Sequence, residues 1–146
     1  MLYPTHIALG LIIGKLSGDY STAMIATFIP DLDHLRAYFK RGVLFTPKEI
    51  VKASISQNDE FGEQRSWLHS LLGWIIISAF ILLINFKLGL IFSIAYLGHL
   101  VLDALDRCGF HPFYPSRYIK LKGPVPYASW YEFSLIILLF SIFLIT

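Results

Sequence analysis

Ser66–Phe86 is a run of 21 residues without Asp, Glu, Lys or Arg. As a helix rising 1.5 Å per residue it is ~30 Å long, the thickness of a bilayer's hydrocarbon core. A tight turn is expected at Lys87-Leu-Gly. A second uncharged run of 15, Leu88–Leu102, follows and continues as helix to about Asp106. Arg107 and Gly109 read as its C-terminus, with Pro112 just beyond. The third run is the tail, Phe133–Thr146. With Ala128–Glu132 it makes about 19 residues, ~28 Å, enough to span. Composition agrees. Hydrophobic residues are 55% and charged residues 15%, against roughly 45–50% and about 25% in soluble domains. Mean hydropathy is +0.61. These values exclude a disordered chain, a coiled coil or an ordinary soluble enzyme.

The N-terminal third carries two shorter apolar segments, His6–Leu16 and Tyr20–Ile29, joined at Ser17-Gly-Asp. Each is only ~15–17 Å as a helix. They read as a short hairpin that packs on the long helices and dips into the membrane. Gly10 and Gly14, four apart, either permit a close helix crossing or fall there by chance. Pro30 ends the second segment, because the residue before proline avoids the α region. It also opens a helix through Lys40, closed by Gly42. Thr46-Pro-Lys-Glu49 matches a capping box before a short amphipathic helix, Pro47–Ser56, outside the bilayer. Gln57–Gln64 and Gly109–Tyr127 are polar. The expected fold is all-α: a polytopic membrane helical bundle with three long transmembrane helices and a short N-terminal helical hairpin. It forms a single membrane-embedded domain, 1–146, with insertions at about 35–65 and 107–127.

The N-terminus has no basic region before its apolar run and is expected to be retained. The lone Cys108 excludes an internal disulfide and a Cys-rich zinc site. A net charge of +2, with no basic run interleaved with aromatics, argues against nucleic acid as a partner.

Alternating the segments puts the Ser17–Asp19 and Lys87 turns at one end of the bundle. Ten of the 12 Lys and Arg then fall at the other: Arg36, Lys40, Arg41, Lys48, Lys52, Arg65, Arg107, Arg117, Lys120 and Lys122. The positive-inside rule makes that end cytoplasmic and leaves the C-terminus outside.

That end also collects what a metal site needs. His6 starts the first segment; Asp31, Asp33 and His34 follow the second. From the Lys87 turn, His69 lies ~27 Å and Asp103 ~24 Å along their helices, so they face each other. His99 and Asp103 share a helix face at a spacing of four. An aspartate inside a membrane helix costs about 2.5–3.5 kcal/mol on insertion scales and usually has a partner. Nitrogen and oxygen ligands without thiolate suit zinc, manganese, iron or magnesium. Simpler readings stand beside these. His6, His69 and the His99–Asp103 pair are also what interhelical hydrogen bonding uses. Asp31 is also a helix cap. Arg65 suits a headgroup anchor as well as an anion contact. Glu132 suits a helix dipole. His34 and His111 read as structural, and Trp67, Trp130, Tyr127 and Tyr131 as an interfacial aromatic belt.

Five motifs in order resemble the YdjM-like family of inner-membrane proteins classed as metal-dependent hydrolases. They are Thr5-His6 with Gly10, Ile29-Pro-Asp-Leu-Asp-His34, Arg65-Ser-Trp-Leu-His69-Ser70, Gly98-His99-Leu-Val-Leu-Asp103, and the Gly109–Pro115 segment. Two positions depart from the pattern. Gln64 stands where the family often has His, and Leu68 where it usually has Thr. The resemblance implies a small helical membrane protein with a bound divalent metal and hydrolase activity.

The expectation is a metal-dependent hydrolase with zinc first among divalent ions and manganese or iron behind it. One or two divalent ions are held by His6, Asp33 or Asp31, His69, His99 and Asp103. Asp31 or Asp33 serves as general base and Arg65 contacts an anionic group such as phosphate. A site at headgroup level makes membrane lipids the natural surroundings and a lipid phosphoester the natural substrate. The rival is a non-catalytic membrane protein with a structural or regulatory metal site. A transporter ranks last, because Ile75–Ile84 and Leu88–Ile94 are nearly all apolar.

Overall fold

The structure, a computed structural model, describes residues 1–55 and 65–146. Its elements are α1 (Tyr3–Ser17), α2 (Tyr20–Phe28), α3 (Leu32–Lys40), α4 (Pro47–Ile55), α5 (Leu71–Ile84), α6 (Phe86–Leu105) and α7 (Trp130–Ile145). The all-α expectation holds among the described residues. The only extended pairings there are isolated bridges, Asp106 with Val125 and Phe110 with Leu121. Gln57–Gln64, and with it Gln64, lies outside the described residues.

Three long transmembrane helices are not what forms. Among the described residues only α6, with 20 residues, is long and apolar enough to cross a membrane. Helix α5 has 14 residues and α7 has 16, about 21 and 24 Å. The reasons lie at the ends. Ser70 caps α5 by accepting from the Gly73 amide at 3.1 Å, so residues 66–70 of the uncharged run stay outside the helix. Asn85 is the junction that ends α5 and caps α6, accepting from the Leu88 amide at 3.1 Å. The turn therefore sits at Asn85, and Lys87-Leu-Gly belongs to the first turn of α6. Ser129 caps α7, and Ala128 before it has φ +52°, so neither extends that helix. The outer faces remain apolar and open, with Ile75, Phe80, Ile137 and Ile142 all exposed.

Helices α1 and α2 form the expected hairpin. Gly18 closes α1 at φ +74°, and Asp19 caps α2 through the Thr22 amide at 3.0 Å. Gly10 and Gly14 set the crossing. A Cβ on Gly10 would lie 2.7 Å from Met24 Sδ, and one on Gly14 would lie 2.8 Å from Tyr20 Cα. Ala26, Phe92, Ala95, Tyr96, Leu100 and Phe110 form the core where α2 meets α6 and the loop beyond it. Lys15 donates to the Phe143 carbonyl at 2.8 Å, so the α1–α2 turn lies beside the end of α7. The opposite end holds the polar residues.

Candidate metal centre

Each element delivers its polar residues to one point for a local reason. Pro30 breaks the chain between α2 and α3. Asp31 takes the N-cap position of α3 but its side chain caps nothing, which frees the carboxylate. Asp33, two residues on in the first turn of α3, meets the segment before α5. Its Oδ1 accepts from Ser66 Oγ at 2.8 Å. Its Oδ2 accepts from the Ser66 amide at 3.0 Å and the His69 amide at 3.1 Å, and faces His69 Nδ1 at 3.3 Å. Burial pushes the Asp33 carboxyl up, but the donors from His69 and Ser66 outweigh it and hold the group below its ordinary value.

The imidazoles are oriented from behind. His69 Nδ1 faces Asp33. His99 Nδ1 donates to the Thr27 carbonyl at 2.7 Å. Both turn Nε2 to the interior, where neither has a hydrogen-bond partner among the described residues. Around those two atoms stand Asp103 Oδ2, at 3.3 Å from His69 and 3.6 Å from His99, and Asp31 Oδ1, at 4.0 and 3.8 Å. Tetrahedral bonds of about 2.0–2.2 Å place neighbouring ligand atoms about 3.3–3.6 Å apart. These four imidazole–carboxylate separations are at, or slightly wider than, that spacing. His6 stacks on His99 with ring centroids 3.9 Å apart, and its Nε2 is 3.6 Å from Asp103 Oδ1. Among the described residues, two groups have ligand atoms close enough to hold an ion: His6, His99 and Asp103, and Asp31, His69 and His99. Asp33 belongs to neither. Its geometry is that of a carboxylate that holds a ligating imidazole from behind.

Arg65 is largely buried, its side chain 12% exposed, and turned inward. Its Nη1 donates to the Gly109 carbonyl at 2.9 Å, and Nη2 donates to Asp103 Oδ1 at 3.2 Å and Asp106 Oδ2 at 2.9 Å. Burial lowers its affinity for the proton, but the two carboxylates outweigh that and raise it. An anionic ligand at Arg65 has to compete with both. The Met1 amine reaches the same carboxylates, Asp103 Oδ1 at 3.0 Å and Asp106 Oδ2 at 2.9 Å. Fully buried Glu132 holds the start of the chain in place by accepting from the Leu2 and Ala128 amides.

The family model described as YdjM inner membrane protein matches residues 1–146. The chain belongs to that family. No curated protein and no solved structure matches it. The YdjM motifs read from the sequence meet in space: Thr5-His6, the Pro-Asp-Leu-Asp-His segment, His69 and the His99–Asp103 helix share one buried cluster. Two members of this YdjM site were not legible as such. Asp106 follows Asp103 by three, one turn on, and that spacing was the available signal. His34 has Nε2 3.6 Å from Asp31 Oδ1 and its ring 5.1 Å from that of His69. Burial, above all, holds its imidazole well below its ordinary value.

Proposed function

We propose that this YdjM family protein is a metal-dependent hydrolase, with one ion held by His69, His99, Asp103 and Asp31 and with His6 beside it. The observation that carries this reading is the pair of buried, unpartnered Nε2 atoms on His69 and His99, each facing two carboxylates. Charge supports it. The cluster holds four carboxylates, Asp31, Asp33, Asp103 and Asp106, and two cations, Arg65 and the Met1 amine, so with the carboxylates counted as ionised two negative charges are left over. A divalent ion balances them. Zinc is the first choice, with manganese or iron behind it.

The bound metal supplies a water of lowered pKa and polarises the scissile group. The chain's own residues do the rest. Asp33 and Thr27 hold the two imidazoles. Arg65, with the Met1 amine, holds Asp103 and Asp106. In a one-ion site Asp31 is placed to act as general base: its Oδ2 is buried without a partner among the described residues, and burial raises its carboxyl above the ordinary value. It lies on the more open side of the cluster, its side chain 13% exposed against 2% for Asp103. On α3, Leu32, Leu35 and Phe39 lie exposed along one face, adjacent to the face that carries Asp31 and His34. That juxtaposition supports a substrate presented at a lipid surface, and a lipid phosphoester fits best. The positive-inside pattern supports a site on the cytoplasmic side, with the C-terminus outside.

One observation favours the rival, a structural or regulatory metal: His6, His69, His99 and Asp103 are no more than 2% exposed. The deciding experiment is metal analysis by mass spectrometry on untagged protein in detergent, beside His69→Ala and His99→Ala. A tightly bound ion, lost in both variants, is the expected result and opens a screen of phosphoester and amide substrates. Hydrolysis that depends on the ion selects the enzyme. A bound ion without turnover on any class selects the structural role. Folded protein with no ion after exposure to zinc, manganese or iron overturns both.

A further inference from the structure

We propose that Asp31 and His34 form a second, more open divalent-ion position that shares the Asp31 carboxylate with the first. It rests on the metal reading above and goes beyond it by assigning His34 and a second ion.

Asp31 Oδ1 stands between three imidazole Nε2 atoms: His34 at 3.6 Å, His99 at 3.8 Å and His69 at 4.0 Å. His69 and His99 group with Asp31 around one ion, and His34 does not join that group. The carboxylate thus has a third imidazole, His34, outside the group that surrounds one ion with His69 and His99. Its second oxygen, Oδ2, is buried without a hydrogen-bond partner among the described residues, and so is His34 Nδ1. A buried carboxylate oxygen without a donor is costly, and a cation on that side removes the cost. A carboxylate that bridges two ions about 3.5–4 Å apart is the usual device of two-metal hydrolytic sites, where one ion takes the attacking and the other the leaving oxygen.

Exposure separates the two positions. The His34 and Asp31 side chains are 18% and 13% exposed, whereas His69 and His99 are fully buried. Two protein ligands with access to water leave most of the second coordination sphere to water or to substrate oxygens. That predicts an ion bound more weakly than the first and exchangeable, of the oxygen-preferring kind that manganese or magnesium represents. Its place beside the exposed apolar face of α3 puts it where a phosphate at a lipid surface would arrive.

The test is a Mn(II) titration of chelator-stripped, full-length protein in detergent. Bound metal is counted by mass spectrometry, and the electron paramagnetic resonance spectrum reports spin coupling between neighbouring ions. Wild type should take up two ions per chain, the second at least tenfold more weakly, with a coupled-spin signal at saturation. His34→Ala and the milder His34→Gln should each keep one ion and lose the coupled signal. His99→Ala should lose the tight ion. A wild type that saturates at one ion, unaltered by His34→Ala but removed by His99→Ala, overturns the second position and leaves the first standing. Two coupled ions in both His34 variants also overturns it. No ion in wild type overturns the metal reading itself.

Discussion

Asp33→Asn separates a carboxylate that orients a ligand from one that is a ligand. Asp33 accepts from Ser66 Oγ, the Ser66 amide and the His69 amide at 2.8–3.1 Å and faces His69 Nδ1. Asparagine keeps one carbonyl oxygen for the two backbone amides and His69, and the Ser66 hydroxyl can rotate to accept from the new amide. The fold should survive. What goes is the negative charge behind His69, which raises the basicity of its Nε2. Removing such a partner typically costs 10–100-fold in metal affinity, about 1.4–2.7 kcal/mol. Metal affinity, measured by chelator competition in detergent, should fall by that factor while the number of bound ions stays the same. Asp33→Ala instead leaves the Ser66 and His69 amides without an acceptor, at about 1–3 kcal/mol each, and should lower the melting temperature as well. Unchanged affinity in Asp33→Asn refutes the orienting role. A folded Asp33→Asn that binds no ion shows Asp33 to be a ligand itself, the role its place in the motif suggested.

Three further outcomes follow from the same geometry. Arg65→Ala strands Asp103 and Asp106 and should destabilise by about 3–5 kcal/mol, read by thermal unfolding in detergent; a loss under 1 kcal/mol shows that the Met1 amine suffices. Gly14→Ala drives a methyl against the Tyr20 backbone and should cost about 1–3 kcal/mol in the same assay, with no change refuting the tight crossing. Burial pushes the Asp106 carboxyl up, but the Met1 amine and Arg65 outweigh it and hold the group below 3.8. A depressed carboxyl stabilises fully above its unfolded value, and the contribution is lost as pH falls through the folded one. Acid unfolding of Asp106→Asn should therefore lose less stability below about pH 3.8 than wild type does; parallel curves refute that contribution.

The sequence made the convergence legible because it depends only on element lengths and turns. Four segments of roughly known rise, folded back at Ser17–Asp19 and near Lys87, bring His6, Asp31, His69 and Asp103 to one end whatever the side chains do. Roles within the cluster were beyond that reasoning. Asp31 and Asp33 differ by two positions in one motif, yet one faces three imidazoles and the other holds His69 from behind. That assignment follows from the direction of α3 against the 66–70 segment, which periodicity does not contain. Arg65 read as an anion contact because the partners that satisfy it, Asp106 and the Gly109 carbonyl, come from a loop 40 residues further on.

The shortening of α5 and the building of the site have one cause. Hydropathy counts Ser66–Phe86 as a single uncharged run, and a bilayer-spanning helix is the natural reading. The first five residues are diverted. Two of their amides and the Ser66 hydroxyl converge on Asp33, the Leu68 carbonyl accepts from the Tyr96 hydroxyl at 2.6 Å, and the Trp67 carbonyl accepts from Ser70 Oγ at 2.6 Å. A regular helix from Ser66 would carry the same apolar side chains but would not aim the Ser66 and His69 amides at a single carboxylate oxygen. The irregular turn costs about one and a half turns of helix and gains a fixed His69. Such non-helical backbone at the edge of a membrane is tolerable only where its polar groups find protein partners. Here the partners belong to the candidate metal centre. Removing them should unravel the entry to α5 as well as the site.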